Sequence, residues 1–179
     1  MVKNARKSDR VKRLNKKFGT KRIYLKKSTI RNAGIGVFAA ETIPSGVRLG
    51  EYKGRRLSEE RAYSLPRSKQ CYLFEVQRRK APNELIDAYS LKTSTWTRFV
   101  NSFKTKKQFK RQNVRFYQYA QKIWLQTTKQ IKKGEELICD YGYDYWTDDE
   151  EEYWSISPSA SSLSISNCLR FLASRSSDC

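Results

Sequence analysis

The chain has 179 residues, 37 Lys and Arg against 18 Asp and Glu, a formal net charge of +19, and no histidine. That length suits one domain of ordinary size with residues left over for tails; the absence of histidine excludes His-based triads, His general bases and His-containing zinc sites. A pI near 9.9 points to an acidic partner such as nucleic acid or a nucleosome surface, and no run approaches the roughly 18 apolar residues of a membrane helix.

Residues 1–21 are a basic segment in which Asp9 is the lone acid. Like charges at this density repel, so the expectation is a mobile, disordered arm. Its pairs Lys12-Arg13, Lys16-Lys17 and Lys21-Arg22 resemble a bipartite nuclear-import signal and offer a contact to nucleosomal DNA. Arg22–Lys27 is a first strand candidate, and Gly34–Ala40 reads as a turn into a strand. Glu41–Gly46 is a turn, since Pro and Gly break both periodic patterns. Val47–Tyr52 follows as a short strand. Ser58-Glu59-Glu60 opens a helix, with Ser as the cap and acids matching the dipole, and Pro66 should end it. Cys71–Val76 and Glu84–Ala88 are strand candidates, and Ser94–Val100 a short helix. Lys104–Arg111 is a basic loop. Val114–Tyr119 and Lys122–Thr127 form a hairpin across Ala120-Gln121, and Leu137–Cys139 is a last strand.

Many short strands with little helix argue for a compact, mostly β (α+β) domain over residues 22–147 and against a doubly wound parallel sheet. From 148 to 179 the chain turns acidic and then Ser-rich, a composition that seldom packs, so a disordered tail is expected. Cys71, Cys139, Cys168 and Cys179 form no CxxC pair, which argues against a structural zinc.

Gly34-Ile35-Gly36 by itself reads as an ordinary turn. It lacks the third glycine and the following helix of a dinucleotide fingerprint. Glu135–Trp146 (EELICDYGYDYW) is far more specific. In order with GIGVFA, LGEYKGR, CYLF, LIDA and RFVN, it resembles the motif series of the SET family of protein lysine methyltransferases, from Ile23 to Trp146. Arg98-Phe99-Val100-Asn101 is followed by Ser102-Phe103, without the His that many SET proteins carry. This and the Gln112–Tyr119 segment (QNVRFYQY) are similar to the PR branch of that family. The resemblance implies a SET-type β-clip fold of small curved sheets with short helices and a pseudoknot-like C-terminal crossing.

It also implies chemistry: in-line transfer of a methyl group from S-adenosylmethionine to a lysine amine, with no metal. The amine must arrive neutral although its reference pKa is about 10.4. An apolar, aromatic channel favours the neutral form by desolvation, so the missing His is no obstacle. By resemblance Tyr141 is the catalytic residue. Ala33, Gly34 and Ile35 meet the cofactor through backbone, Tyr72, Asn101 and Ser102 contact it, and Trp146 covers its adenine. Tyr52, Cys71, Phe74, Phe116 and Cys139 line the lysine channel. Few hydroxyls there leave room for di- or trimethylation. The implied partner is a histone or another lysine-bearing protein in the nucleus, with no membrane. Two alternatives stand beside this reading: a catalytically weak PR-type chromatin recruitment module, and a basic nucleic-acid-binding protein.

Overall fold

The computed structural model describes residues 2–103 and 109–141, with side chains from residue 8 onward. Within them the chain forms strands β1 (Ile23–Lys27), β2 (Ile35–Ala39), β3 (Arg48–Tyr52), β4 (Arg55–Ser58), β5 (Leu73–Val76), β6 (Glu84–Asp87), β7 (Asn101–Ser102), β8 (Val114–Tyr119), β9 (Lys122–Thr127) and β10 (Ile138–Cys139). Helices are α1 (Val2–Phe18), α2 (Glu59–Tyr63) and α3 (Arg67–Gln70), with a 3-10 turn at Trp96–Phe99. The strands assort into small antiparallel sheets, β1–β2, β3–β9–β8 and β4–β6–β5, and one parallel pair, β7–β10. This is the mostly β architecture expected from the spacing of turn residues.

Strand alternation explains how the sheets share one core. In β8 and β9, Val114, Phe116, Ile123, Leu125 and Thr127 are buried while their neighbours face outward. Ala120, at φ 53, turns the hairpin between them so that Tyr119 pairs with Lys122. Their buried face meets Leu25 and Val37 from the first sheet, Phe74, Val76 and Ile86 from the third, and Leu137 and Cys139. Ser58 caps α2 by accepting from the Arg61 amide, as its position before two acids implies. That helix ends at Tyr63, and Pro66 instead stands at the start of α3.

The segment expected to be a mobile arm is helical instead. Val11, Leu14 and Phe18 fall on one face; Leu14 and Phe18 are buried in the core, and Phe18 meets Phe99 edge-on at 5.7 Å. Asn15 acts as a peptide mimic. It donates from Nδ2 to Leu25 O at 2.7 Å and accepts from Leu25 N at 2.6 Å, which clips α1 to the free edge of β1. Each buried apolar side chain contributes roughly 1.5–3 kcal/mol, whereas repulsion between exposed charges is weak in water. Arg10, Lys12, Arg13, Lys16 and Lys17 stay exposed. The short helix expected over Ser94–Val100 is the single 3-10 turn at Trp96–Phe99.

Candidate active site

The parallel pair β7–β10 sets Ile138 beside Asn101 and Cys139 beside Ser102. That register delivers Tyr141 to the strand carrying Asn101. The Tyr141 amide donates to Ser102 Oγ at 3.1 Å, and its hydroxyl donates to Val100 O at 2.6 Å. The phenol proton is therefore committed to a backbone carbonyl. What the oxygen offers a reacting group is its lone pairs.

Glu136, just before β10, holds the opposite flank. Its side chain has no exposure. Oε1 accepts from Ser28 Oγ at 2.6 Å and Asn101 Nδ2 at 3.3 Å; Oε2 accepts from the Thr29 amide at 2.8 Å and from the Thr29 hydroxyl. The Arg111 guanidinium lies 4.0 Å away. Buried carboxylates are tolerated when their lone pairs are satisfied in this way. Asn101 Nδ2 also donates to Ile35 O at 3.2 Å. Both neighbours of that amide nitrogen are acceptors, which orients the side chain. Asn101 Oδ1 takes no hydrogen bond among the described residues.

The Ala33-Gly34-Ile35 turn is closed by Ser28 N donating to Gly34 O at 2.9 Å and Ala33 N to Ile30 O at 3.2 Å. Gly34 adopts φ +72 with open space where a Cβ would point. Gly36 is needed for the opposite reason: a Cβ there would fall on Glu136 Oε1 and lie 3.3 Å from Asn101 Nδ2. The two glycines of GIG thus serve different ends, a left-handed turn and a close approach.

Tyr52, Phe74 and Phe116 form a ring triangle with centroid separations of 5.3, 5.6 and 5.4 Å. The Tyr52 hydroxyl donates to Tyr72 O at 2.9 Å. Arg98 lies over the Tyr72 ring at 4.2 Å and donates to Tyr89 O at 2.9 Å; burial pulls its guanidinium below the ordinary value. Cys139 is fully buried, its Sγ 3.6 Å from Asn101 O. Burial pushes its thiol well up, so it is a neutral packing group rather than a nucleophile.

Tyr72 and Tyr141 pack against the core cluster that contains Tyr52, Phe74, Phe116 and Cys139. Ala33, Gly34, Ile35, Asn101 and Ser102 gather on the Glu136 side, and Asn101-Ser102 joins the two groups. Cys71 caps the end of α3, outside that cluster. Trp146, residues 104–108 of the basic loop and the tail from 148 lie outside the described residues. Sequence reasoning gave no role to Ser28 and Thr29, nor to Glu136 and Arg98, although these last two lie within the motifs that carry the resemblance. The one local signal for Glu136 is an acid immediately before an apolar strand.

Comparison with known proteins places these features in context. The family model of the PR domain of PR domain zinc finger protein 2 matches residues 23–151. The histone-lysine N-methyltransferase set-17 of Caenorhabditis elegans is 31% identical over 123 residues, covering 68% of this chain and 41% of that protein. The histone-lysine N-methyltransferase PRDM7 of Homo sapiens is 30% identical over 125 residues, covering 66% of this chain and 23% of that protein. The chain therefore spans less than half the length of either relative. The methyltransferase domain of human PR domain-containing protein 2 superposes with a TM-score of 0.56 at 25% identity, over 70% of this chain and 80% of that one. A ctPRC2 structure in an autoinhibited conformation bound to S-adenosylmethionine superposes with a TM-score of 0.54 at 26% identity, over 69% of this chain and 16% of that one.

Proposed function

The chain belongs to the PR-domain family, and from that premise we propose that it is an S-adenosylmethionine-dependent protein-lysine N-methyltransferase acting on a histone or another lysine-bearing protein in the nucleus. The observation that carries this reading is Tyr141, its hydroxyl held by Val100 O at 2.6 Å next to Asn101. The family name alone does not supply activity; the support is that the Tyr141 oxygen, its proton on Val100 O, keeps lone pairs for a reacting group.

The residues present fit the cofactor. S-adenosylmethionine bears an ammonium and an adenine amine, both donors, and Asn101 presents an oriented acceptor, Oδ1, with its own donors committed. The open side of Gly34 allows close approach to the turn backbone. When bound, this group supplies a methyl carried on a cationic sulfur. Tyr52, Phe74 and Phe116 form an apolar wall that disfavours a charged lysine and so favours the neutral nucleophilic amine. Tyr141 offers oxygen lone pairs to polarised C–H and N–H groups and orients them, the entropic share of catalysis.

A recruitment module that retains the fold without turnover is the second reading. It is favoured by the segment after Asn101, Ser102-Phe103, which lacks the His that many SET proteins carry; Phe103 is instead buried against Ile30 and Ile138.

The test is a methylation assay with labelled S-adenosylmethionine, core histones and nucleosomes, using wild type and Tyr141→Phe. Label on a lysine, reduced about a hundredfold or more in the variant, is the expected result. The variant removes one hydrogen bond, about 1 kcal/mol, so its melting and its cofactor binding by calorimetry should stay near wild type. Cofactor binding without turnover supports the recruitment module. A folded sample that neither binds cofactor nor transfers label overturns the reading.

A further inference from the structure

The outward face of the β3–β9–β8 sheet takes no part in the site described above. The strand register aligns its side chains in rows. Arg48 and Arg115 flank Gln126, Tyr117 sits opposite Trp124, and Tyr119 sits opposite Lys122.

These groups are built into a layer. The Arg48 guanidinium lies 4.7 Å from the Trp124 ring centroid, 5.5 Å from Tyr119 and 5.7 Å from Tyr117. Its Nε donates to Tyr117 Oη at 2.7 Å, so Arg48 reaches from β3 across β9 to β8 and is locked there. Arg115 is held by Gln126 Oε1 at 3.0 Å. The acid on this face, Glu51, is paired with Lys53 at 3.4 Å. Tyr119 is 64% exposed.

We propose that this sheet face binds single-stranded nucleic acid. Unpaired bases have flat faces that stack on aromatic rings and on guanidinium planes, and a positively charged surface tracks their phosphates. The layer supplies both: Tyr119 and the Arg48–Trp124 stack for bases, Arg115 and Lys122 for phosphates. A duplex hides its base faces, and an acidic peptide meets the charges but leaves the rings without a planar partner. Because Arg48 is already locked in place, little ordering entropy is lost on binding. Helix α1 carries charge too, but without a row of exposed rings. The proposal is independent of methyl transfer.

The test is fluorescence anisotropy of the full chain with a fluorescein-labelled mixed-sequence DNA strand of 12 nucleotides, and with the same sequence as a duplex, over a range of salt. The strand should bind more tightly than the duplex. Tyr119→Ala should weaken strand binding about tenfold without changing the salt slope, and Tyr119→Phe should restore it. Arg115→Ala should weaken binding and reduce the slope by about 0.7. Lys12→Ala with Lys16→Ala on α1 should weaken strand and duplex alike. Both sheet positions are exposed, and unchanged melting curves confirm folding. The proposal is overturned if Tyr119→Ala and Arg115→Ala bind as wild type, if duplex binds as tightly as strand, or if poly-glutamate competes as well as the strand.

Discussion

Glu136 Oε1 accepts the Ser28 hydroxyl at 2.6 Å, and 108 positions of chain separate the two residues. Through the same carboxylate, the β1–β2 turn, Asn101 on β7 and the approach to β10 are held in one arrangement. The turn that presents Gly34 and the strand pair that presents Tyr141 are thereby fixed relative to each other.

Glu136→Gln keeps the size of the side chain but turns an amide donor toward groups that are themselves donors. A buried network broken on one side loses on the order of 2–4 kcal/mol. Urea unfolding should show that loss as a lower midpoint. A change below about 0.5 kcal/mol, the scale of an ordinary surface substitution, would mean that the carboxylate does not hold these segments.

Gly34 and Gly36 should respond differently to alanine. Gly34→Ala meets open space and costs only the left-handed backbone, roughly 1–2 kcal/mol. Gly36→Ala drives a methyl into Glu136 Oε1 and to 3.3 Å from Asn101 Nδ2, so the carboxylate must move and the Asn101 amide that donates to it loses its placement. Calorimetric titration with S-adenosylmethionine should show affinity lowered in the first variant, whose methyl enters the side left open for the cofactor, and lost in the second. Equal affinities for the two would count against Asn101 as a cofactor contact.

Helix α1 should be part of the folded domain. Phe18→Ala removes a buried ring and should cost about 3 kcal/mol. Asn15→Ala leaves the Leu25 amide without its partner and should cost about 1–2 kcal/mol. In native-state hydrogen exchange the Leu25 amide should be protected in wild type and exchange faster in Asn15→Ala. Equal exchange in both would show that the clip does not hold.

Cys139 should resist alkylation in the native protein at pH 8 and react once unfolded, as read by mass spectrometry of its peptide. Burial raises its thiol in the folded state. The folded chain therefore keeps a proton that the unfolded chain releases above 9.0, the ordinary thiol value. This group's contribution to stability is complete below that pH and declines as pH rises past it. Cys139→Ala should flatten that alkaline decline; an identical profile in wild type and variant would contradict the assignment.

Several elements were legible in the chain by itself. Alternating burial along Val114–Tyr119 and Lys122–Thr127, the Ala120-Gln121 turn and the Ser58 cap are local patterns, and each element formed where its pattern lay. The order of short motifs pointed to Tyr141, Asn101 and the Gly34 turn, and the fold brings Ile35 of that turn and Tyr141 to neighbouring residues of β7. Charge density hid the helical spacing of Val11, Leu14 and Phe18, because the face that decides α1 exists only when the core formed by the later sheets receives it. The role of Glu136, the parallel β7–β10 pair and the reach of Arg48 over Trp124 were decided by tertiary structure alone. Periodicity is written between neighbours along the chain, whereas a buried carboxylate or a stacked guanidinium takes its meaning from groups brought beside it by folding.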